Sequence, residues 1–353
     1  MVDSSEAPRV NADTYMTDFH APILVTGGAG YIGSHTVHLL AQQGRKVVVL
    51  DNLVYGHEQA IIDDGVELVI GGVGDQPLLR SLFDKHAFGA VIHFAAYAFV
   101  GESVADPLKY YRNNTAEVMS LLEVMQEFEC KSFVFSSTCA TYGLPMSLPI
   151  TESNPQQPIN PYGRSKLMVE WILKDCEQAW GLNSACLRYF NASGCSMDGR
   201  IGEDHDPETH LIPRVLMALI GEIAEIEVFG TDYDTPDGTC IRDYIHVEDL
   251  ADAHAKALDH LAAGGDSVCC NLGTGVGVSV KQIIQAAEEV TGKCVPVRFG
   301  PRRPGDPDCL VADPSYAGQA LGWEAKHRDV RDMVSSSWKW ISGPRAGRYS
   351  DQA

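Results

Sequence analysis

A glycine-rich turn between an apolar strand and a helix is the sequence feature that most constrains the fold. The predicted strand at residues 23–26 leads directly into Gly27-Gly28-Ala29-Gly30-Tyr31-Ile32-Gly33, and a helix is predicted to follow. Glycines at positions 27, 30 and 33 permit a tight turn, a close approach of the backbone to a pyrophosphate, and close packing of the helix. The start of that helix offers free N–H groups and the positive end of its dipole to phosphates. The turn therefore predicts a dinucleotide site.

Short apolar strands alternate with longer helical stretches after this turn. This alternation predicts an α/β fold with a doubly wound parallel sheet of the Rossmann type. After residues 188–191 the chain changes to long loops rich in Gly, Pro and acidic residues, which predicts a smaller mixed α/β lobe that binds the substrate. The predicted elements are strands at 23–26, 46–51, 66–70, 90–94, 132–136 and 268–272, and helices at 33–43, 115–128, 212–220 and 243–261.

Three segments are predicted from these changes along the chain. Residues 1–20 form a polar N-terminal extension, residues 21–190 a dinucleotide-binding domain, and residues 191–345 a substrate-binding lobe. Parts of 241–275 are predicted to return to the large sheet and so to belong with the first domain.

The first 20 residues and the cysteines bear on where the protein works. The N-terminal segment lacks both a basic leader and an apolar core of the kind that signal peptides have. No run approaches the roughly 20 apolar residues of a membrane helix. The 10 cysteines are scattered without a CxxC pair, which favours a reducing compartment. We therefore expect a cytoplasmic protein that does not contact the membrane.

The charge balance excludes one class of partner. Lysine and arginine together number 27, and aspartate and glutamate 47, so the formal charge at pH 7 is −20. Because so acidic a surface repels polyphosphate backbones, no nucleic-acid partner is expected. A site for an anionic small molecule must then use locally placed arginines or helix N-termini. The 12 histidines include no helical HxxxH pair with a third ligand, so no metal site is predicted.

Asp51 indicates which dinucleotide binds. It ends the second predicted strand, where a carboxylate accepts hydrogen bonds from both ribose hydroxyls of an adenosine. The same carboxylate would repel a 2′-phosphate, and no arginine follows it in Asp51-Asn52-Leu53. NAD is therefore predicted as the cofactor, in preference to NADP.

Three residues predict the chemistry. Tyr162 and Lys166 lie one helical turn apart and so face the same way. A phenol with a pKa near 10 is a poor base at neutral pH, but a neighbouring ammonium and a positive nicotinamide stabilise its phenolate. Thr138 follows the strand at 132–136, whose carboxyl end opens on the cofactor cleft. We predict that Thr138 binds a sugar hydroxyl and that Tyr162 is the base that takes its proton.

At this point the chain resembles a known family, the extended short-chain dehydrogenases/reductases, and within it the UDP-glucose 4-epimerases. The resemblance covers residues 23–340 and rests on specific motifs: GGAGYIGSH, HFAAYAFVGES, SSTCATYG, NPYGRSK, RYFNASG, GTCIRDYIHV and RRPGD. It implies a tightly bound NAD, a UDP-sugar substrate, interconversion of UDP-glucose and UDP-galactose through a 4-keto intermediate, and a homodimer. The residues that it implies for NAD, besides Gly27, Gly30, Gly33, Tyr162 and Lys166, are Tyr31, Ile32, Asp51, Asn52, Phe94, Ala95, Asn113 and Tyr189.

The same resemblance implies a substrate site. Its members, besides Thr138, would be Asn191, Leu211, Arg242, Arg303 and Asp306. Two forked guanidinium groups suit a diphosphate, and a carboxylate suits ribose hydroxyls. In similar families the residue four positions after this aspartate, here Leu310, lies beside carbon 2 of the sugar. Its intermediate bulk predicts a preference for UDP-glucose and UDP-galactose over their N-acetyl forms.

Two positions depart from the pattern of the family. Some members carry a lysine, a cation near the cofactor phosphates and the sugar, where this chain has Ala98. The usual Gly-Asp after the third strand is Gly71-Gly72 here, so a carboxylate that would contact adenine is missing. Asp75 lies nearby as a candidate replacement.

Other activities share the cofactor loop and the Tyr–Lys pair. Sugar dehydratases and UDP-glucuronate decarboxylases carry an acid just after the catalytic Thr or Ser, where this chain has Cys139 and Ala140, which disfavours both. A UDP-pentose 4-epimerase acting on xylose and arabinose needs the same residues and stays open. A non-catalytic NAD-binding protein would be expected to lack Tyr162 or Lys166, and both are present.

Overall fold

A computed structural model describes residues 21–303 and 305–349, so the predicted extension at 1–20 lies outside the described residues. The strands are Ile23–Thr26 (β1), Val47–Asp51 (β2), Glu67–Ile70 (β3), Ala90–His93 (β4), Ser132–Thr138 (β5), Asn183–Tyr189 (β6), Asn191–Ser193 (β7), Ile226–Phe229 (β8), Ile241–His246 (β9), Val268–Leu272 (β10), Gly277–Ser279 (β11), Val297–Gly300 (β12) and Cys309–Leu310 (β13).

The helices alternate with these strands in the first half of the chain. They are Tyr31–Gln42 (α1), Gln76–His86 (α2), Val100–Ala105 (α3), Pro107–Tyr111 (α4), Glu117–Glu127 (α5), Pro161–Trp180 (α6), Leu211–Ile220 (α7), Val247–Ala262 (α8), Val280–Thr291 (α9), Ser315–Leu321 (α10) and Val330–Ile341 (α11). Among the residues described, no helix has both the length and the apolar character needed to cross a bilayer.

A seven-stranded sheet forms the centre of the larger part. Its order is β10-β6-β5-β4-β1-β2-β3, and every neighbouring pair is parallel. The predicted doubly wound α/β class is therefore confirmed. The strand order reverses direction between β1 and β4, and ligands of such sheets bind at the carboxyl ends of the strands beside that point.

Both faces of this sheet are covered by helices. Side chains of a strand alternate between the faces, so Ile23 and Val25 pack in one core with Leu250 of α8, while Leu24 packs in the other with Leu79 of α2. All four residues of β1 are buried. Strands covered on both faces read as continuous apolar runs, which is why their approximate positions follow from the sequence.

A second region lies beyond β6. It contains a sheet in which β9 is central, with β11 and β13 as neighbours and β7 also paired to it, and a separate parallel pair, β8 and β12. Its core includes Ile212, Val215 and Trp340. The chain returns from this region to the large sheet through β10, which pairs with β6. The boundaries at residues 190 and 345 remain a prediction.

The predicted helix at 243–261 is wrong at its start. Residues 241–246 form β9, and α8 begins at Val247, where the His246 ring accepts a hydrogen bond from the Glu248 amide at 3.1 Å. The cause is tertiary: the buried Asp243 carboxylate accepts hydrogen bonds from the amides of Thr274 and Gly275 at 2.8 and 3.1 Å, which fixes this segment as a strand. Those partners lie 31 and 32 residues away in the chain, so local pattern does not reveal them.

Candidate active site

The glycine-rich turn has the shape that a dinucleotide requires. Gly27 has φ +70°, and a Cβ there would lie 2.4 Å from the Ala95 amide nitrogen. A Cβ on Gly33 would lie 2.2 Å from the Gly27 carbonyl oxygen, so only glycine lets α1 pack this closely. Gly30 is the N-cap of α1 and provides no side-chain cap, which leaves amides of the first turn for an anion. These residues therefore fit the pyrophosphate of NAD.

Tyr31 and Ile32 begin α1. The Tyr31 hydroxyl donates to the Gly194 carbonyl oxygen at 2.5 Å, and the Ile32 side chain packs against the core of the sheet. Both side chains are thus used within the protein. The contacts of Tyr31 and Ile32 with NAD stay a prediction.

Asp51, the predicted partner of a ribose, ends β2 beside that turn. Its carboxylate accepts hydrogen bonds from the amides of Ala29 at 3.0 Å and Leu53 at 2.8 Å, which orient it. A Cβ on Gly56 would come 2.8 Å from one carboxylate oxygen, so this glycine keeps that side of the carboxylate clear. Asn52 is exposed next to it, with its side-chain oxygen accepting from the Val54 amide at 3.2 Å.

A cavity of about 410 Å³ opens at the carboxyl end of β3. It starts just after Gly71, whose amide donates to the Asp51 carbonyl oxygen at 2.9 Å. Asp75 lies on its wall, but one oxygen of this carboxylate accepts from the Leu78 amide at 3.1 Å and caps α2. The position suits the adenine of the same nucleotide. The residues that line it are Gly72, Gly74, Asp75, Arg112, Ala116, Glu117 and Ser120.

The remaining predicted NAD residues lie along the same edge of the sheet. The amides of Phe94 and Ala95, just after β4, both donate to the Thr26 carbonyl oxygen at 2.8 and 3.1 Å. Asn113 belongs to a π-helical turn at Arg112–Ala116, a local irregularity that is frequent at functional sites. The next residue, Asn114, ties this turn to the backbone of Tyr97 through two hydrogen bonds of 2.9 Å.

Helix α6 carries the predicted base and its lysine. Asn160 caps the helix by accepting from the Gly163 amide at 2.8 Å, and Pro161 occupies the first helical position. Tyr162, Lys166 and Glu170 follow at intervals of one turn, and all three are buried. The structure thus places the predicted pair at the carboxyl end of β5, on the same edge of the sheet as the glycine turn.

Lys166 is held firmly under the site. Its ammonium donates to the Ser136 carbonyl oxygen at 2.8 Å and lies 4.9 Å from the centre of the Phe135 ring. Burial lowers the pKa of Lys166 to about 7, although the nearby Glu170 acts in the opposite direction.

Without a bound cofactor, the phenol of Tyr162 is a weaker acid than an ordinary tyrosine. Burial raises the pKa of its phenol well above the ordinary value, the neighbouring Tyr189 adds to this, and a hydrogen bond with Thr138 acts in the opposite direction. The Tyr189 hydroxyl in turn contacts the Ser136 hydroxyl at 2.6 Å. An ionised Tyr162 thus requires further positive charge, which a bound nicotinamide brings.

Thr138 is the last residue of β5. Its hydroxyl accepts from the Ala140 amide at 3.1 Å, inside the short turn Cys139–Thr141. Since its oxygen already accepts one bond, the hydroxyl proton remains for Tyr162 or a substrate. The thiol of Cys139 in the same turn stays protonated, because burial raises its pKa to about 12.

Behind Lys166 lies a buried ion pair that sequence reasoning missed. Arg188 donates to both carboxylate oxygens of Glu170, at 3.0 and 2.6 Å, and to the Tyr142 hydroxyl at 2.9 Å. The Ser137 hydroxyl donates to the same carboxylate at 2.5 Å. This network holds α6 against β5 and β6. The sequence offers one indication of this network, because Glu170 lies one turn beyond Lys166 on the same face of the helix.

The predicted substrate residues lie mostly on and around β9. Asn191 lies on β7, opposite Tyr244, and Leu211 is the first residue of α7. Arg242 forms an ion pair with Asp306 through a short contact, so the two predicted ligands of the substrate are paired with each other. The guanidinium of the exposed Arg303 lies 3.9 Å from the centre of the Phe229 ring.

Leu310 lies next to both the substrate residues and the catalytic turn. It pairs with Arg242 in the β13–β9 register. Its side chain packs against a small cluster that includes Phe190 and Tyr142, and Cys139 of the turn after Thr138 packs on the same cluster. The structure thus places Leu310, which is predicted to set the preferred size of the sugar, in the wall between β9 and β5.

Comparison with known proteins agrees with this geometry. The sequence profile of the NAD dependent epimerase/dehydratase family matches residues 23–273. The UDP-glucose 4-epimerase of Halalkalibacterium halodurans is 51% identical over 318 residues, which cover 90% of this chain and 95% of that protein.

Solved structures are similar over the same length. UDP-glucose 4-epimerase from Brucella ovis, in complex with NAD, has a TM-score of 0.88 and 51% identity, and the match covers 90% of this chain and 97% of that one. The enzyme from Stenotrophomonas maltophila, with bound NAD and formylated UDP-arabinopyranose, has a TM-score of 0.88 and 42% identity, covering 92% and 98%.

Proposed function

Since this chain belongs to the NAD dependent epimerase/dehydratase family, we propose that it uses NAD to interconvert UDP-glucose and UDP-galactose by inverting carbon 4. The observation that carries this proposal is the buried Tyr162–Lys166 pair at the carboxyl end of β5, beside the glycine turn. Relatives about half identical over most of the chain are UDP-glucose 4-epimerases. The reaction is therefore an isomerisation with no net oxidation.

The side chains of the protein remove and return one proton, that of the 4-hydroxyl of the sugar. Tyr162 takes the proton of the 4-hydroxyl, and Lys166 stabilises the phenolate before it does so. Bound NAD supplies the acceptor and donor for hydride at carbon 4. The 4-keto sugar then turns within the site, so that the returning hydride would reach the opposite face of carbon 4, and Tyr162 returns the proton to the oxygen of that carbon. Thr138 binds the same oxygen through its hydroxyl and keeps it within reach of Tyr162.

Purified protein incubated with UDP-galactose tests this function directly. We expect UDP-glucose to accumulate to a fixed ratio, without added NAD and without net formation of NADH. A product that lacks the 6-hydroxyl would instead identify a dehydratase. Release of CO₂ in a second incubation, with UDP-glucuronate, would identify a decarboxylase. The residues immediately after Thr138 are Cys139 and Ala140, so no acid stands there to support either activity.

A UDP-pentose 4-epimerase is the second candidate. The relative from Stenotrophomonas maltophila was solved with a UDP-arabinopyranose derivative, and a pentose needs the same base and the same diphosphate site. Side-by-side rates on UDP-galactose, UDP-N-acetylgalactosamine and UDP-arabinose distinguish the two. A higher kcat/KM for UDP-arabinose would make the pentose the substrate.

We further propose that the protein works in the cytoplasm as a homodimer. All 10 cysteines are free, as expected in a reducing compartment. Exposed apolar side chains are concentrated on α3 to α6, which is the kind of surface that a second copy covers. Sedimentation equilibrium measures the mass in solution. The exposed residues on these helices are Val100, Val104, Leu108, Met119, Met168 and Trp171.

Arg242 and Arg303 are proposed to hold the diphosphate. Replacing either with alanine is expected to raise KM by about 10- to 150-fold, because a charge-assisted hydrogen bond contributes roughly 1.5–3 kcal/mol. Arg298→Ala is the matched control, since this exposed arginine pairs with Glu225 and Glu227 and with none of the predicted substrate residues. Titration calorimetry with UDP gives the affinities. Unchanged binding of UDP by both variants would contradict the assignment.

Leu310 is proposed to limit the size of the group at carbon 2. The wall beside it is packed with Phe190 and Tyr142, so an acetamido group must displace protein atoms. We expect wild type to prefer UDP-galactose to UDP-N-acetylgalactosamine by about 10- to 100-fold in kcat/KM. Leu310→Ser should raise the value for the larger sugar and leave UDP-galactose, the internal control, little changed. If the variant gains nothing on the larger sugar, Leu310 only packs the wall.

A further inference from the structure

Four side chains outside the catalytic site converge between β7 and α7. They follow the spacing Glu203-x-His205-x-x-Glu208-x-His210. One ligand atom from each lies within 4.8 Å of all the others. His205 Nδ1 is 3.2 Å from Glu203 Oε1 and 3.6 Å from Glu208 Oε2. His210 Nδ1 is 2.7 Å from Glu203 Oε1 and 3.2 Å from Glu208 Oε1.

These atoms do not hydrogen-bond to one another in the usual way. Glu203 is only 6% exposed, yet its Oε1 has no hydrogen-bond partner among the described residues, and the same holds for Nδ1 of His205 and of His210. The distances are short enough, so the angles must be unsuitable. Buried polar atoms are rarely left in this state, and an ion between them would account for it.

The set of donors fits a divalent transition metal. Two imidazole nitrogens and two carboxylate oxygens are ligands that zinc accepts, and bonds of about 2.0–2.2 Å to four tetrahedral ligands place those ligands roughly 3.3–3.6 Å apart. The closest approaches between imidazole and carboxylate here are 2.7 to 3.6 Å. We propose that Glu203, His205, Glu208 and His210 form a binding site for one Zn²⁺ or a similar divalent transition metal.

Charge and space agree with this assignment. The two carboxylates bring two negative charges together, and one divalent cation would neutralise both. A cavity of about 40 Å³, lined by Glu203, His205 and Glu208 and reaching Arg348, adjoins the cluster.

A second group of histidines and an acid, around His246, shows what a non-binding cluster looks like. There Nε2 of His246 contacts the Ser336 hydroxyl at 3.1 Å, and Nδ1 accepts from the Glu248 amide at 3.1 Å. Both ring nitrogens are therefore engaged, and the ring has no nitrogen left for a metal. The cluster at Glu203 differs because its nitrogens point at carboxylates without bonding to them.

The ion would order the segment that enters the substrate site. The His205 ring packs edge-on against Tyr31 with centroids 6.1 Å apart, and Tyr31 begins the helix of the glycine turn. The next residue after His210 is Leu211, at the start of α7. A metal here is thus a positioning element between the cofactor turn and α7, and its binding does not depend on which sugar the protein accepts.

Metal binding by the tag-free full-length protein tests this site. The protein is treated with a chelator, dialysed, and titrated with Zn²⁺ by calorimetry and with Co²⁺ by visible absorption, a probe of coordination. We expect one equivalent per chain, Co²⁺ bands of a four-coordinate site, and a higher Tm with Zn²⁺ than without it. Glu203→Gln and His210→Gln should each weaken binding by more than the about 10- to 100-fold that loss of an outer-shell partner costs.

His86→Gln is the matched control, because the partly buried His86 lies 3.3 Å from a single carboxylate, that of Glu67. It should bind Zn²⁺ as wild type does. The side chain of His210 is 42% exposed, so His210→Gln is expected to fold. It therefore still tests the site if Glu203→Gln fails to fold. The proposal would be wrong if wild type did not bind Zn²⁺ stoichiometrically, or if His86→Gln lost as much affinity for Zn²⁺ as the other two variants. The four side chains would then only pair with each other.

Discussion

Tyr162→Phe is expected to lower kcat for UDP-galactose by about two to four orders of magnitude, the range in which general acid–base catalysis contributes. The change removes only the hydroxyl that accepts and returns the proton, while the ring keeps its packing against Tyr110. The measurement is the initial rate of formation of UDP-glucose, together with the Tm and the content of NAD. We expect both of the latter to stay close to wild type.

Tyr316→Phe provides the control for this substitution. Tyr316 is 41% exposed on α10, so loss of its hydroxyl should not affect the rate. Turnover of Tyr162→Phe close to that of wild type would remove Tyr162 from the mechanism. A low rate accompanied by loss of NAD would instead show that the hydroxyl serves mainly to bind the cofactor.

Lys166→Met is expected to give the second large effect, with a characteristic dependence on pH. Tyr162 must be ionised to act, so activity is lost as the pH falls through the pKa of its phenol. An ammonium within about 4–6 Å lowers such a pKa by about 1–3 units. Removing it should move the acidic limb of the pH–rate profile upward by that amount. At pH 7 the rate should fall by about 10- to 1000-fold.

The pH profile separates this role from a structural one. Methionine keeps most of the length and the apolar character of the buried lysine stem, and it removes the ammonium that lies over the Phe135 ring. Damage to packing would lower the rate equally at every pH and leave the limb where it is. Lys166→Arg is a useful companion, since it restores a charge and should recover the position of the limb if the group fits. A profile for Lys166→Met parallel to wild type would contradict the electrostatic role.

Much of the large sheet can be predicted from sequence because its signals are local. Buried parallel strands are continuous apolar runs, and Gly27 and Gly33 stand where a Cβ would collide with backbone. The Tyr162–Lys166 pair likewise depends on the spacing within one helix. The position of Thr138 requires only the direction of β5.

The rest depends on contacts between distant segments or on local spacings that match no regular element. Asp243 fixes β9 as a strand through partners 31 and 32 residues away, which made the predicted start of α8 wrong. Arg242 and Asp306, 64 residues apart, are paired with each other, whereas the sequence only predicts two separate ligands. The spacing of Glu203, His205, Glu208 and His210 is not that of one helix face, so a search for helical pairs misses it.

The return of the chain to the large sheet has a consequence for biosynthesis. β6 ends at Tyr189 and its outer neighbour β10 begins at Val268, after the whole intervening region. About 80 residues must be translated between them, which takes roughly 4 to 16 s at 5–20 residues per second. During that interval the nascent β6 has an open edge, and unpaired strand edges recruit other chains. Ribosome stalling or truncation before residue 268 should therefore yield an aggregating product rather than a separate cofactor-binding domain.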